Sequence, residues 1–443
     1  MATASSNRRN GRPLRLGNLA RAAGFLVFVC SVVVRGSMTS RYDPNELLIL
    51  YSDGPTYLAP ARSLLDHGTF LNSRGQPGFH RTPGYPVFLA GLMVFVGTDL
   101  RMLMLAQALV LSAGPLFLYW HAKRIMPPTT AIIVGLIAAF SPWGAVLAGV
   151  PMSDGLFLTL ITLIFLLMKI TADTWGSRAT LCATLVGLLT GAAVLVRPIW
   201  ALVILIPWAY AFSVGSKRRG VWLMSAIIAV CAAAPVALWV VRNDRVAHFR
   251  GLSDIPGQTA WQYLAARVRA EASGRDRHEV SKLAAEEETR WGVPMHSQEA
   301  DDERWRRAND VFRTHPFLTG YSFARSALEH AVHPSPDVLN AAKWNFTGDV
   351  LVLSLAWAGL LGCAVYGLWT AQVLAGPNHE PVHFRWLLGM SIVCLLLTLS
   401  SGFSFAAGSR LRGPLEAIVP MLSALGAVRI THRLRQGPSL DRR

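Results

Sequence analysis

The chain has 443 residues, of which 52% are hydrophobic and 15% charged, and its mean hydropathy is +0.37. Apolar runs near the roughly 20 residues that cross a bilayer recur through both halves, which makes this an all-α polytopic membrane protein. The formal net charge of +16 invites a nucleic-acid reading, but much of the basic surplus sits in short loops and at both termini. Membrane topology accounts for it there, and no nucleic-acid partner is expected. Cys30, Cys182, Cys231, Cys363 and Cys394 all fall inside apolar segments at no metal-ligand spacing. Neither a disulfide framework nor a zinc site is expected, and no metal or cofactor is called for.

Arg8, Arg9, Arg12, Arg15 and Arg21 precede an apolar run from Ala22 to Val34. No small-x-small cleavage site follows, so the run reads as an uncleaved first helix with a cytoplasmic N-terminus. Next comes the stretch from Tyr51 to Gly97. Asp53 stands just before a short amphipathic helix, Pro55 to His67, with Tyr57, Leu58, Ala61, Leu64 and Leu65 near one stripe. A Gly/Pro/Arg-rich turn then ends in Arg81-Thr82-Pro83-Gly84-Tyr85-Pro86. A carboxylate beside a membrane-surface helix and an arginine-bearing turn points to an active site at the bilayer edge.

Further apolar segments lie at about 101–120, 129–149, 153–169, 179–196, 198–214, 220–241, 348–370, 385–401 and 413–429. If 84–97 also spanned, the basic loops around Lys123-Arg124 and Lys217-Arg218-Arg219 would both lie outside, against the positive-inside tendency. The run is also short for a crossing. It is therefore expected to be interfacial or re-entrant, leaving about ten spanning helices with both ends inside. The expected organisation is a transmembrane module over 1–241 carrying the first outer loop at 37–100, an extended outer region over 242–347, and a second transmembrane module with a cytoplasmic tail over 348–443.

That topology puts Asp53, Arg62, Arg81, Arg101, Asp154, Arg197, Arg242, Arg410 and Arg412 at outer helix ends or in outer loops. Charges near membrane depth usually face a protein interior or an aqueous cavity, so their gathering on one side implies one outward-facing polar cavity and argues against a conduction path. The stretch from Asn243 to Gly348 mixes charges of both signs with Trp261, Trp291, Trp305 and Trp344. Within it 277–313 reads as a helix, and the whole is long enough to form a lid or cap over the cavity.

In this order the motifs resemble the GT-C superfamily of integral-membrane glycosyltransferases, in the branch that holds dolichyl-phosphate-mannose protein mannosyltransferases and the bacterial lipid A aminoarabinose transferase. The resemblance rests on Ser52-Asp53-Gly54-Pro55-Thr56-Tyr57, on Arg81 to Pro86, and on Pro151-Met152-Ser153-Asp154. It continues in the small-residue run Gly187 to Val196 before Arg197-Pro198, in Trp239-Val240-Val241-Arg242-Asn243, and in Arg410-Leu411-Arg412-Gly413-Pro414. Two places depart from the family pattern. Gly54 stands where many members carry a second acid, and Ser409 and Leu411 flank the late arginine where many have a tyrosine. The acceptor and metal habits of members with paired acids are therefore not implied.

The resemblance implies transfer of a sugar from a polyprenyl-phosphate donor to a glycan, lipid or protein acceptor, with inversion, in a bacterial inner membrane with the site facing the periplasm. Asp53 would be the base; its other reading is a helix N-cap. Arg81, Arg410 and Arg412 would hold the donor phosphate through the guanidinium fork, against a reading as snorkelling or headgroup-paired residues. Asp154 and Arg197 would line the cavity as an ion pair or orient donor hydroxyls, or only neutralise each other between helices. Tyr57 and Tyr85 are cavity residues or, more commonly in such positions, interface-belt residues. His80 would assist the phosphate or be merely solvated, and Pro198, Pro207 and Pro235 would bend helices. A lipid or solute transporter with the same outward cavity is the alternative, disfavoured by the one-sided charges and unlike halves.

Overall fold

Helix follows helix along the chain, as the apolar periodicity requires, and among the described residues no strand forms. The computed structural model describes residues 12–41, 43, 53–215, 217–332, 357–367, 369, 381–400 and 414–436. The first half consists of α1 (Arg12–Ser40), α2 (Gly54–His67), α3 (Gly84–Val96), α4 (Leu100–Leu111), α5 (Ala113–Ala122), α6 (Pro128–Ala139), α7 (Pro142–Gly149), α8 (Asp154–Asp173), α9 (Gly176–Val196), α10 (Leu202–Val214) and α11 (Val221–Ala247).

Among the described residues five helical stretches are long and apolar enough to cross a membrane: Asn18–Ser40, Leu100–Ala122, Asp154–Asp173, Gly176–Val196 and Val221–Ala247. A sixth is the pair α6 and α7, bent by 49°. The expected continuous run at 129–149 is thus broken, for a local reason. Pro142 has no N–H to donate and drives the residue before it out of helical geometry; Ser141 sits at ψ 115° and its hydroxyl accepts from the Gly144 amide at 3.2 Å, starting α7 afresh. The 13 residues of α3 reach only about 20 Å at 1.5 Å per residue, short of a hydrocarbon core of about 30 Å. That length agrees with an interfacial or re-entrant α3.

Small residues let helices approach closely. A Cβ at Gly187 or Gly191 of α9 would lie 2.6 Å from the Ile228 carbonyl oxygen or 2.7 Å from that of Ala232 on α11. The two helices therefore meet backbone to backbone, as small-xxx-small faces do in membranes.

After α11 come α12 (Ile255–Thr259), a π-helical segment over Ala260–Ala265, α13 (Ala266–Ser273), α14 (Arg277–Thr289), α15 (Gln298–Thr314) and α16 (Pro316–Val332). The helix expected over 277–313 is two helices. Asp276 caps the first and Ser297 the second, and the intervening turn passes through Gly292 at φ +72°. These helices enclose a small core of their own around Trp261, Val280, Ala284 and Ala308. The rest of the chain contributes α17 (Trp357–Gly367), α18 (Pro381–Leu399) and α19 (Val419–Gln436). Trp344 lies outside the described residues, as do parts of the expected segments at 348–370 and 413–429.

Candidate functional site

Asp53 precedes α2 but does not cap it: its side chain makes no capping hydrogen bond to the helix. The carboxylate turns instead to Arg81, whose Nη2 donates to Asp53 Oδ1 at 2.5 Å. The same guanidinium donates from Nε to Thr56 Oγ1 at 2.8 Å and from Nη1 to the Tyr57 hydroxyl at 3.2 Å, and it lies 4.6 Å from the Tyr57 ring centroid. One arginine thus joins the turn 81–86 to the first turn of α2. Asp53 remains 29% exposed and Arg81 11%.

Tyr57 carries the network inward. Its hydroxyl lies 3.3 Å from Ser153 Oγ, next to Asp154, and its ring packs edge-on against Tyr85 at 4.9 Å. Asp154, at the mouth of α8, forms an ion pair with Arg197 at the end of α9. Tyr85 donates to Gln107 Oε1 at 2.7 Å, and Gln107 Nε2 donates to the carbonyls of Ala148 and Val150 at 2.9 and 2.8 Å. Both tyrosines are buried, so neither stands in an interface belt. Gly84 permits the assembly, because a Cβ there would lie 2.6 Å from the backbone carbon of Leu195. The turn bearing Arg81 and Tyr85 can therefore press against the end of α9 that presents Arg197. Asp53, Tyr57, Arg81, Tyr85, Asp154 and Arg197 converge on one end of the bundle; Arg410 and Arg412 lie outside the described residues.

A second cluster, unmarked in the sequence, adjoins the first. His80 Nδ1 lies 2.7 Å from Asp254 Oδ1, and His296 Nδ1 lies 2.8 Å from Asp254 Oδ2. Arg304 adds an ion pair to Asp254 at 3.4 Å and another to Glu288. Burial opposes the charge on Asp254, but donation from His296 and His80 outweighs it and holds the acid well below the usual carboxylate range. Burial also pushes the His80 pKa down, so its imidazole is neutral at pH 7 and can donate from Nδ1. One ligand atom from each of His80, Asp254 and His296 falls within 4.8 Å of the others. Around a tetrahedral zinc ion, with bonds of about 2.0–2.1 Å, such atoms sit about 3.3 Å apart, so small ring movements would admit one. The cysteines, whose spacing gives no reason to expect a zinc site, are free; this trio is built from three distant segments. His80 is therefore not merely solvated, and it is engaged by Asp254 rather than by the Asp53–Arg81 pair. Arg242 completes the junction by donating to the carbonyls of Gly78 and Phe70 at 2.5 and 3.0 Å.

No protein-family model and no curated protein matches the chain. Among solved structures it is similar to the archaeal oligosaccharyltransferase AglB from Archaeoglobus fulgidus. The complex with an inhibitory peptide and a dolichol-phosphate has a TM-score of 0.52 and 10% identity, over 96% of this chain and 52% of that one. The form tethered to an acceptor peptide has a TM-score of 0.53 and 11% identity, over 96% and 51%. ArnT from Cupriavidus metallidurans in the apo state is 18% identical over 92% and 78%, with a TM-score of 0.41. The chain spans about half the length of the oligosaccharyltransferase it matches. The likeness to AglB extends over nearly all of this chain and shows that the two share a fold, a polytopic bundle of helices.

Proposed function

We propose that the chain is a membrane glycosyltransferase that moves a sugar from a polyprenyl-phosphate donor to a glycan, lipid or protein acceptor, with inversion, on the periplasmic face of a bacterial inner membrane. The observation that carries this reading is the part-exposed Asp53–Arg81 pair at the end of the bundle where Asp154 and Arg197 also meet.

Two groups of opposite charge suit the two halves of such a transfer. The acceptor oxygen attacks the anomeric carbon and gives its proton to Asp53. The bond from that carbon to the phosphate oxygen breaks, and the polyprenyl phosphate departs with the electron pair and one more negative charge than it had as a diester. A guanidinium fork meets that growing charge. Arg81 supplies it, with Arg410 and Arg412 as further phosphate partners. A carboxylate paired with arginine is a weak base, so the donor phosphate has a second effect: by competing for Arg81 it loosens the hold on Asp53 and raises its basicity when a substrate is present. Tyr57, Tyr85, Asp154 and Arg197 then shape the cavity rather than exchange protons.

The test is reconstitution in liposomes with undecaprenyl-phosphate-linked sugars, read by mass spectrometry of lipid and acceptor fractions, alongside glycans from a strain lacking the protein. Transfer dependent on the lipid-linked sugar is expected. Movement of intact lipid or sugar across the bilayer with no new glycosidic bond would overturn the reading in favour of a transporter.

A further inference from the structure

A groove of about 690 Å³ opens between α10 and α11 near the first turns of α18, with Pro207, Trp208, Phe212, Trp222 and Ala226 among its walls and Arg385 at its rim. It lies at the opposite end of the bundle from Asp53. The 20 residues of α8 run about 30 Å from Asp154 to Asp173; α9 returns to Arg197 and α10 descends again to Gly215, beside the groove.

The walls are almost wholly apolar. Ser225 is the exception, and its hydroxyl is already used, donating to the Pro207 carbonyl at 3.3 Å. Arg385 is exposed, and among the described residues it makes neither an ion pair nor a hydrogen bond, although its Nη1 would lie 3.4 Å from a Cβ on Gly215. It is not acting as a bonded cap on the last carbonyls of α10. Lys217, Arg218 and Arg219 follow Gly215, and Arg218 lies 4.5 Å from the Trp175 ring. No Asp or Glu occurs between Thr174 and Val241, nor between Pro381 and Ser400. Among the described residues lining the groove there is no acid, so it couples an apolar trough to a cationic rim, flanked by exposed Trp208 and Trp222 at the level where tryptophan favours a membrane interface.

We infer that this groove binds one anionic diacyl phospholipid of the leaflet remote from the active site. An acyl chain lies along Trp208, Phe212 and Ala226, and the phosphodiester meets Arg385 with the neighbouring basic turn. A cavity of this size lies within the roughly 300–1,000 Å³ of small-molecule sites, and basic pockets between membrane helices recognise anionic headgroups. The donor lipid is excluded as occupant, because its phosphate has to reach the Asp53 end.

Native mass spectrometry of the full chain, released from nanodiscs holding equal phosphatidylglycerol and phosphatidylcholine, tests this. Wild type is expected to retain phosphatidylglycerol about fivefold over phosphatidylcholine. Arg385→Gln and the groove-filling Ala226→Trp should each bring that preference close to unity. Arg178→Gln, which removes the same charge from a residue that does not line the groove, should leave it within about twofold. Equal retention of the two lipids, or an Ala226→Trp protein that still prefers phosphatidylglycerol, overturns the proposal. So does an Arg178→Gln effect as large as that of Arg385→Gln, since the attraction would then be diffuse. Displacement of the lipid by undecaprenyl phosphate, but not by excess phosphatidylglycerol, would also overturn it. Should Arg385→Gln fail to purify, Ala226→Trp and the wild-type competition still decide.

Discussion

Two aspartates, Asp53 and Asp254, sit on either side of the turn 80–86 and differ in one respect that separates their roles. Asp254 is fully buried, and His80, His296 and Arg304 approach it from three segments. Asp53 is 29% exposed and pairs with Arg81 at the rim of the bundle. An acid enclosed by protein donors cannot receive a proton from an incoming molecule, whereas one at an open rim can. Adjacent residues of the same turn, His80 and Arg81, therefore serve two different acids: the first fastens the helices after Asp254 to the loop, and the second pairs with the part-exposed acid at the rim.

The largest test of that contrast is Asp53→Asn. The substitution keeps volume and most hydrogen bonding but cannot take up a proton, and a general base is typically worth about 10²–10⁴ in rate. Because Asp53 does not cap α2 through its side chain, expression and thermal stability should be unchanged while transfer nearly vanishes. Near-normal transfer would make Asp53 structural and leave Asp154 as the acid to examine. Arg81→Lys comes next. Arg81 donates three hydrogen bonds from a planar fork, to Asp53, Thr56 and Tyr57, and an ammonium cannot reproduce that geometry. Loss of one or two charged hydrogen bonds, each worth about 1.5–3 kcal/mol, predicts a fall in transfer of about 10- to 100-fold. Full activity in steady-state assays would shift the phosphate role to Arg410 or Arg412.

How much of this was legible in the sequence depends on distance along the chain. Apolar runs marked the helices, and the facing charges at Asp154 and Arg197 marked their ion pair, because both signals are local or lie at successive helix ends. The break at Ser141 was hidden inside an apolar run, although Ser-Pro carries its own steric signature. The lone amide Gln107 within the apolar segment 101–120 is a local sign of the buried polar network it joins. Tyr57 and Tyr85 looked like belt residues because aromatic character alone cannot tell a lipid-facing ring from one folded inward; the close approach at Gly84 decides it. The Asp254 cluster was out of reach, since His80 and Asp254 are 174 positions apart and only the folded chain brings them together.

The second acid can be tested through metal. If the His80–Asp254–His296 trio holds zinc, protein purified without chelator should carry close to one equivalent by elemental analysis. His296→Ala should lose it while keeping much of its transfer activity, because the Asp53–Arg81 pair is untouched. Zinc retained in His296→Ala would place the ion elsewhere; its absence from wild type even after zinc is added would leave the trio as a hydrogen-bonded clasp alone.

The smallest expected effect concerns Asp301, on α15 near the Asp254 cluster. Burial and then the charge of Asp254 push its pKa up to about 7, against a partial pull downward from Arg304, and its Oδ1 has no hydrogen-bond partner. The unfolded chain ionises this acid near its ordinary value of 3.8. Below about pH 4 both states are protonated and the group is neutral in its effect. Between about pH 4 and 7 the unfolded state loses its proton while the folded state keeps it, so stability falls as pH rises through that window. Asp254, with its depressed pKa, acts with the opposite sign but only below about pH 4, so the two effects do not overlap. The side chain of Asp301 is part-exposed, so the loss should be on the order of 1–2 kcal/mol, well under what the full shift implies. Thermal unfolding of wild type and Asp301→Asn in the same detergent, subtracted pH by pH, isolates this group. The variant should gain on wild type steadily from pH 4 to 7 and then hold a constant advantage. A difference that stays flat across that range would show that Asp301 ionises normally and that the outer helices tolerate its charge.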